Sequence, residues 1–179
     1  FNTNLDVVFV GDSLTEMGLW NEFFPTIKVG NRGVGGDTTK DVLKRLNSIF
    51  SLEPKVVLIM LGSNDFAQQF SVDDVYDNYI KIVQSLRKRN IQVIVQSTIQ
   101  CSSTKLRCKI IIDQTNRLNQ LLEMYCLTSA ECLFVNLGEL SDPDKLTKEI
   151  AYDGQHLTGK GYRKWVEALK SSQINFLLQ

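Results

Sequence analysis

Two segments near opposite ends of this chain carry side chains that can form a nucleophile and its base. Residues 11–14 (GDSL) place a hydroxyl directly after an apolar run, and residues 153–156 (DGQH) hold the only histidine. A carboxylate three residues before an imidazole can fold back in a turn and bind its Nδ1 nitrogen, which fixes the tautomer and stabilises the imidazolium. If Ser13 has a histidine base, that base must be His156.

Two further segments can supply hydrogen-bond donors to a developing negative charge. Residues 31–38 (NRGVGGDT) are rich in glycine, which lets the backbone approach a ligand and expose its N–H groups. This segment matches neither of the glycine-rich phosphate-binding patterns, because Thr38 stands where the last glycine of the dinucleotide motif belongs. Residues 62–65 (GSND) follow the most apolar run, and Asn64 can direct an amide N–H at an oxyanion.

Each segment also has an ordinary structural interpretation. Ser13 can be a helix N-cap, and Asp37 can cap the helix that follows the glycine-rich turn. Asn64 can be a turn residue, and His156 can be a surface or core histidine with its hydrogen bonds satisfied. The chemical interpretation therefore depends on the four segments occurring together, in this order, each beside a predicted strand or helix end.

Taken together, the four segments resemble the signature motifs of the SGNH (GDSL-type) hydrolase family. Residues 11–14 match its GDSL motif, Gly36 lies in a GGDT-like loop, residues 62–65 match GxND and residues 153–156 match DxxH. The resemblance covers nearly the whole chain, from Gly11 to the last helix. Residues 33–39 (GVGGDTT) are especially similar to bacterial acylhydrolases and to the catalytic subunits of brain-type platelet-activating-factor acetylhydrolases.

The resemblance implies a mechanism and a set of site residues. Ser13 would attack an ester carbonyl, His156 would take its proton and Asp153 would orient His156. The oxyanion hole would be formed by the backbone N–H groups of Ser13 and Gly36 and by the Asn64 side chain. Water would then release an acyl-enzyme, and neither a metal ion nor an organic cofactor is required.

Five apolar runs rich in β-branched residues predict the strands that position these segments. Their residues are 5–10, 26–29, 55–61, 91–95 and 133–135. Such runs indicate strands buried on both faces of a parallel sheet, and the helical periods between them indicate a three-layer α/β/α sandwich. We expect the flavodoxin-like strand order 2-1-3-4-5, in which residues 11–14 and 62–65 leave the strands at the topological switch point, where ligands bind.

Four helices are predicted from apolar residues spaced at helical period. Their inward faces are Val42, Leu43, Leu46, Ile49 and Phe50; Val75, Tyr79, Ile82, Val83 and Leu86; Leu118, Leu121, Leu122 and Tyr125; and Tyr162, Trp165, Val166 and Leu169. Thr158 is the predicted N-cap of the last helix.

Composition sets limits on the class of protein. The 179 residues suit a single domain spanning residues 1–179, and the first residue, Phe1, leads us to expect a longer gene product or a removed leader or tag. Lysine plus arginine (20) equals aspartate plus glutamate (20), so no basic excess points to a nucleic-acid partner. No apolar run approaches the roughly 18 residues of a membrane-spanning helix.

The four cysteines form two local pairs, Cys101 with Cys108 and Cys126 with Cys132. Each pair can close a short disulfide loop, which would favour a secreted or periplasmic protein. The alternative is four reduced cysteines that pack as small apolar groups. The spacings are not those of a zinc site.

Several apolar residues near the motifs bear on the substrate. Leu14, Met17, Trp20, Phe66 and Phe70 can form a wall for an acyl chain or belong to the inner faces of helices. Because the sequence has no insertion that would build a deep lipid tunnel, we expect a small-molecule ester with a short acyl group. The simplest such group is acetyl, on a carbohydrate for example.

The open alternatives are a lysophospholipase or thioesterase, an acyl transferase to a carbohydrate, and a non-catalytic flavodoxin-like binding module. The oligomeric state is left open.

Overall fold

The computed structural model describes residues 4–179, and its centre is a five-stranded parallel sheet in the order β2-β1-β3-β4-β5. This is the predicted flavodoxin-like order. The strands are β1 (Val7–Gly11), β2 (Val29–Gly33), β3 (Val56–Met60), β4 (Gln92–Gln96) and β5 (Leu133–Val135). The strand order reverses between β1 and β3, so the loops that follow these two strands open side by side.

Helices cover both faces of the sheet and complete the predicted sandwich. They are α1 (Ser13–Glu16), α2 (Trp20–Phe23), α3 (Thr39–Lys44), α4 (Leu46–Phe50), α5 (Ser63–Ala67), α6 (Val72–Arg87), α7 (Lys109–Ser129) and α8 (Gly159–Ser171). Thr158 caps α8 as predicted, since its side chain accepts the backbone N–H of Gly161. Within residues 4–179, no helix is both long enough and apolar enough to cross a bilayer.

The central strands are continuous apolar runs because each of their faces meets a separate core. Val7 and Phe9 of β1 point into the core that holds Trp20 and Trp165, on the side of α2 and α8. Val8 and Val10 alternate with them and enter the core on the side of α3 to α7. Burying both faces of β1 and β3 removes a large apolar area from water, which favours this layered arrangement.

The edge strand β2 is where the sequence prediction was wrong. Residues 26–29 were expected to form this strand, but β2 runs from Val29 to Gly33 and shares only Val29 with the prediction. It pairs with β1 from Val7↔Val29 to Gly11↔Gly33. All five residues of β2 are only partly buried, so this edge position accepts polar residues and glycine that an apolar pattern does not reveal.

Two helices also differ from their predictions. The expected single helix around residues 42–50 is split into α3 and α4, because Arg45 leaves helical geometry at φ −108° and ψ 15°. The Arg45 guanidinium instead holds Asp37 at 2.6 Å and the carbonyl oxygen of Arg32 at 2.9 Å. Helix α7 begins at Lys109, well before the apolar period that predicted it.

Both cysteine pairs that the sequence left open form disulfides in the structure. Cys101–Cys108 closes the connection between β4 and α7, and Cys126–Cys132 joins the end of α7 to the start of β5. The described residues contain no free cysteine. Disulfides persist in oxidising environments, so the pairing points to such a compartment.

Candidate active site

Ser13 lies at the carboxyl end of β1, as the first residue of α1. The cap of this helix is Asp12 and not Ser13, since Asp12 Oδ1 accepts the backbone N–H of Leu14 at 3.0 Å. The Ser13 hydroxyl is therefore available, and its oxygen lies 3.1 Å from Nε2 of His156. This distance is within hydrogen-bond range for a serine and the base that would take its proton.

The aspartate three residues before His156 binds the other side of the imidazole. Asp153 Oδ2 lies 2.8 Å from Nδ1 of His156, and Asp153 Oδ1 accepts the backbone N–H groups of Gln155 and His156 at 2.9 and 2.8 Å. Partial burial raises the pKa of Asp153, but these hydrogen bonds outweigh it and bring the pKa to about 2. The carboxylate is thus charged at neutral pH and fixed toward the ring.

A short hairpin-like loop holds this aspartate and histidine together. Ala151 and Leu157 form an antiparallel bridge, and the backbone N–H of Tyr152 donates to the carbonyl of His156 at 3.0 Å. The exposed Tyr152 ring stacks beside the imidazole at 6.0 Å between centroids. Gly154 turns the chain at φ +89°, a conformation that favours glycine.

The glycine-rich loop after β2 passes close to Ser13 and contains an unused backbone donor. Gly36 has φ +83°, and its backbone N–H donates no hydrogen bond among residues 4–179. The loop is held in place by Glu16, whose Oε2 accepts the N–H of Gly35 at 2.9 Å. An ideal Cβ on Gly35 would lie 3.9 Å from the Cβ of Ser13, so the loop passes close to the serine.

Asn64 sits in α5, directly after the loop that follows β3. Its Nδ2 donates to the carbonyl of Asp37 at 3.1 Å and makes a long contact of 3.5 Å with Asp12 Oδ2. One amide hydrogen is thereby committed to the glycine-rich loop. The second makes only the long contact with Asp12, so it has the weaker hydrogen bond of the two.

Two buried aspartates shape the loops of the site. Burial raises the pKa of Asp12 to about 6, against the opposing hydrogen bonds of Leu14 and Ser63. Burial also raises the pKa of Asp65, which accepts the backbone N–H of Thr39 at 3.1 Å and its hydroxyl at 2.6 Å. Asp65 thus connects α5 to the start of α3.

The structure decides between interpretations that the sequence left open near the site. The N-cap of α3 is Thr38, which forms a capping box with Asp41, whereas Asp37 pairs with Arg45. The apolar residues considered for an acyl wall are mostly interior. Leu14, Trp20 and Phe66 are buried in the two cores, Phe70 packs against the second core, and Met17 is exposed.

Sequence reasoning missed the supporting residues Glu16 and Tyr152. Glu16 reaches Gly35 across 19 positions, and no spacing pattern predicts a contact formed only when β1 and β2 pair. Tyr152 had one usable signal, since it is an aromatic residue next to the DxxH motif. The motif residues themselves, Ser13, Gly36 and Asn64 among them, all lie in loops at the carboxyl edge of the sheet or at the helix ends beside it.

A parallel α/β sandwich with a hydrogen-bonded serine, histidine and aspartate at the carboxyl edge has the groups of a serine hydrolase. The model of the GDSL-like Lipase/Acylhydrolase family matches residues 9–164, and the chain belongs to that family. It is a carboxylic ester hydrolase with the SGNH hydrolase fold.

Known proteins similar to this chain fall in the same family. Platelet-activating factor acetylhydrolase IB subunit alpha2 of Rattus norvegicus is 29% identical over 169 residues, covering 89% of this chain and 72% of the relative. A solved structure from Bacteroides fragilis, described as an acylhydrolase, has a TM-score of 0.84 at 27% identity, covering 97% of this chain and 88% of that one. An acetyl-xylooligosaccharide esterase of Geobacillus has a TM-score of 0.75 at 17% identity, covering 93% and 92%, and shares the fold.

Proposed function

We propose that this hydrolase removes a short acyl group, most simply acetyl, from a small-molecule ester, with Ser13 as nucleophile. The observation that carries the proposal is the unbroken contact from Ser13 Oγ to His156 Nε2 at 3.1 Å and from His156 Nδ1 to Asp153 Oδ2 at 2.8 Å. This is the geometry that lets an imidazole act first as base and then as acid.

The reaction begins with attack of the Ser13 oxygen on the ester carbonyl, while His156 Nε2 accepts the hydroxyl proton. Collapse of the tetrahedral intermediate breaks the bond to the leaving alcohol, which receives that proton from the imidazolium. Asp153 stays charged and stabilises the imidazolium through Nδ1. Water, activated by the same imidazole, then attacks the acyl-enzyme and releases the acid and free Ser13.

The negative charge on the carbonyl oxygen would be bound by three donors. These are the backbone N–H groups of Ser13 and Gly36 and one amide hydrogen of Asn64. Ser13 is the first residue of its helix, so its N–H has no intrahelical partner, and that of Gly36 is likewise free within residues 4–179. The Asn64 amide would exchange its long contact with Asp12 for a shorter hydrogen bond to the oxyanion. Catalytic hydrogen bonds commonly shorten in this way when substrate binds.

The preference for a short acyl group rests on the packing around Ser13. Leu14, Trp20 and Phe66 fill the protein cores, so they are not available to line a channel for a long chain. The names of two similar proteins, an acetylhydrolase subunit and an acetyl-xylooligosaccharide esterase, also refer to acetyl groups. The two disulfides further lead us to propose secretion or a periplasmic location.

The test is a chain-length series of p-nitrophenyl esters, from acetate to laurate, on wild type and on Ser13→Ala. We expect kcat/KM to be highest for acetate or propionate and to fall by about 10⁴-fold or more in Ser13→Ala. A maximum at long chains would contradict the acyl preference. Activity that survives in Ser13→Ala would contradict the nucleophile.

A further inference from the structure

The connection between β4 and α7 has little regular structure of its own. Residues 101–108 form a single 3₁₀ turn at Leu106–Cys108 and are otherwise irregular. The disulfide Cys101–Cys108 closes this segment, here called the disulfide loop, and both cysteines are buried. Within the loop, the backbone N–H of Lys105 donates to the carbonyl of Ser102 and that of Cys108 to the carbonyl of Lys105. The cross-link adds a covalent constraint to these two turn hydrogen bonds.

The disulfide loop bears directly on the turn that carries Asp153. The backbone N–H of Ser102 donates to the carbonyl of Gly154 at 2.8 Å. The aliphatic stem of Lys105 lies over the same glycine, so that a Cβ at Gly154 would come within 2.9 Å of two Lys105 carbons. Arg107 adds a longer contact of 3.5 Å from Nη2 to the carbonyl of Asp153.

These contacts hold the backbone of the turn that carries Asp153 and His156. Gly154 follows Asp153, whose side chain accepts two backbone N–H groups of the turn as well as His156 Nδ1. A shift of the Gly154 carbonyl therefore moves the carboxylate that orients the imidazole. The loop is also anchored on its far side, where Ser103 N–H donates to the carbonyl of Pro143 at 3.1 Å.

The second disulfide provides a natural contrast. Cys126–Cys132 spans six residues where Cys101–Cys108 spans seven, so the two cross-links constrain the unfolded chain to a similar extent. It joins the end of α7 to the start of β5, at the amino edge of the sheet, and its sulfur atoms lie in the core away from Ser13.

We propose that the Cys101–Cys108 disulfide is a positioning element of the active site, so that ester hydrolysis depends on its oxidised state. This inference rests on the proposed function. A dithiol reductant would transfer two electrons and two protons to the S–S bond, giving two thiols and a cyclic disulfide of the reductant. The freed loop would no longer hold Gly154, and His156 would lose its fixed orientation toward Ser13.

The first test compares Cys101→Ser/Cys108→Ser with the matched control Cys126→Ser/Cys132→Ser. Hydrolysis of p-nitrophenyl acetate is measured at a temperature where circular dichroism shows both variants folded. We expect kcat to fall about 10-fold to 100-fold in the first variant with KM within about twofold, and to stay within about twofold of wild type in the control. Equal kcat in the two folded variants would overturn the inference.

The second test needs only the control variant, whose single remaining disulfide is Cys101–Cys108. It is treated with a dithiol until alkylation and mass spectrometry show two free thiols. A fall in kcat with an unchanged circular dichroism spectrum supports a positioning role, and restored activity on reoxidation strengthens it. Retained activity, or a loss that coincides with unfolding, overturns it. Absence of Ser13-dependent hydrolysis in untreated wild type would overturn the proposed function itself.

Discussion

The two edges of the sheet differ in both shape and chemistry. At the amino edge, a cavity of about 690 Å³ lies between the ends of α6 and α7 and the starts of β4 and β5, with Arg87, Leu127 and Phe134 in its lining. At the carboxyl edge, Ser13, His156 and Asp153 form one hydrogen-bonded chain, and the neighbouring glycine-rich loop holds the Gly36 N–H, which has no partner within residues 4–179. The residues that line this cavity include no serine, threonine or histidine, so its volume is not evidence of catalysis.

The contrast follows from how a parallel sheet is built. Loops that leave neighbouring strands at their carboxyl ends converge at the switch point, whereas the amino ends receive helix C-termini. Two buried aspartates, Asp12 and Asp65, also lie at this edge, as the N-cap of α1 and in the first turn of α5. If this account is correct, substitutions at the carboxyl edge should affect catalysis strongly and substitutions at the amino edge should not.

Among variants that keep Ser13, the largest effect is expected for Asp153→Asn. An amide cannot stabilise the imidazolium and can hold the ring in the wrong tautomer, so we expect kcat to fall by about 10⁴-fold. Steady-state kinetics with p-nitrophenyl acetate measures it. A loss of less than about tenfold would mean that Asp153 does not orient His156 in the reaction.

A smaller effect is expected for Asn64→Ala, which removes one oxyanion donor. We expect kcat to fall by about 10²-fold to 10³-fold with little change in KM, because the donor acts in the transition state. Asn78→Ala is the matched control, since Asn78 binds the Thr39 hydroxyl and not Ser13 or His156. If both variants lost activity equally, loop disruption and not an oxyanion contact would be the cause.

The buried Asp12 should give the carboxyl edge a measurable pH dependence of stability. Its pKa of about 6 in the folded protein lies above the unfolded value of 3.8, so its stabilising contribution is complete below about pH 4 and is lost as the pH rises through 6. Between pH 4 and pH 7 we expect wild type to lose about 2 kcal/mol of unfolding free energy relative to Asp12→Asn. Urea unfolding of both proteins checks this, and parallel pH profiles would contradict it.

The smallest effect is expected at the amino edge. Leu127 is 78% exposed and lines the cavity, so Leu127→Ser should change the unfolding free energy by no more than about 0.5 kcal/mol. We expect kcat/KM to stay within about twofold of wild type. A tenfold loss of activity in a folded Leu127→Ser protein would contradict the expectation that only the carboxyl edge contributes to catalysis.

The sequence predicts the interior strands well because they depend on local pattern. The apolar runs at β3 and β4 are buried on both faces, so their period and length are enough to place them. Ser13, His156 and Asp153 are candidates because four segments of suitable residue types occur together, since each segment alone also has an ordinary structural interpretation.

The remaining features depend on contacts between distant parts of the chain. The bounds of β2 are set by pairing with β1, and the break at Arg45 accompanies its bonds to Asp37 and Arg32. The contact of Ser102 with Gly154 forms only when the loop after β4 meets the loop before α8. No local pattern encodes such tertiary contacts.

The central claim is that Ser13 is the nucleophile activated by His156. The most direct measurement is covalent labelling with a fluorophosphonate, followed by peptide mapping by mass spectrometry, on wild type and on His156→Ala. We expect one adduct, on Ser13, formed much more slowly in His156→Ala. An adduct on any other residue, or equal labelling rates in the two proteins, would contradict it.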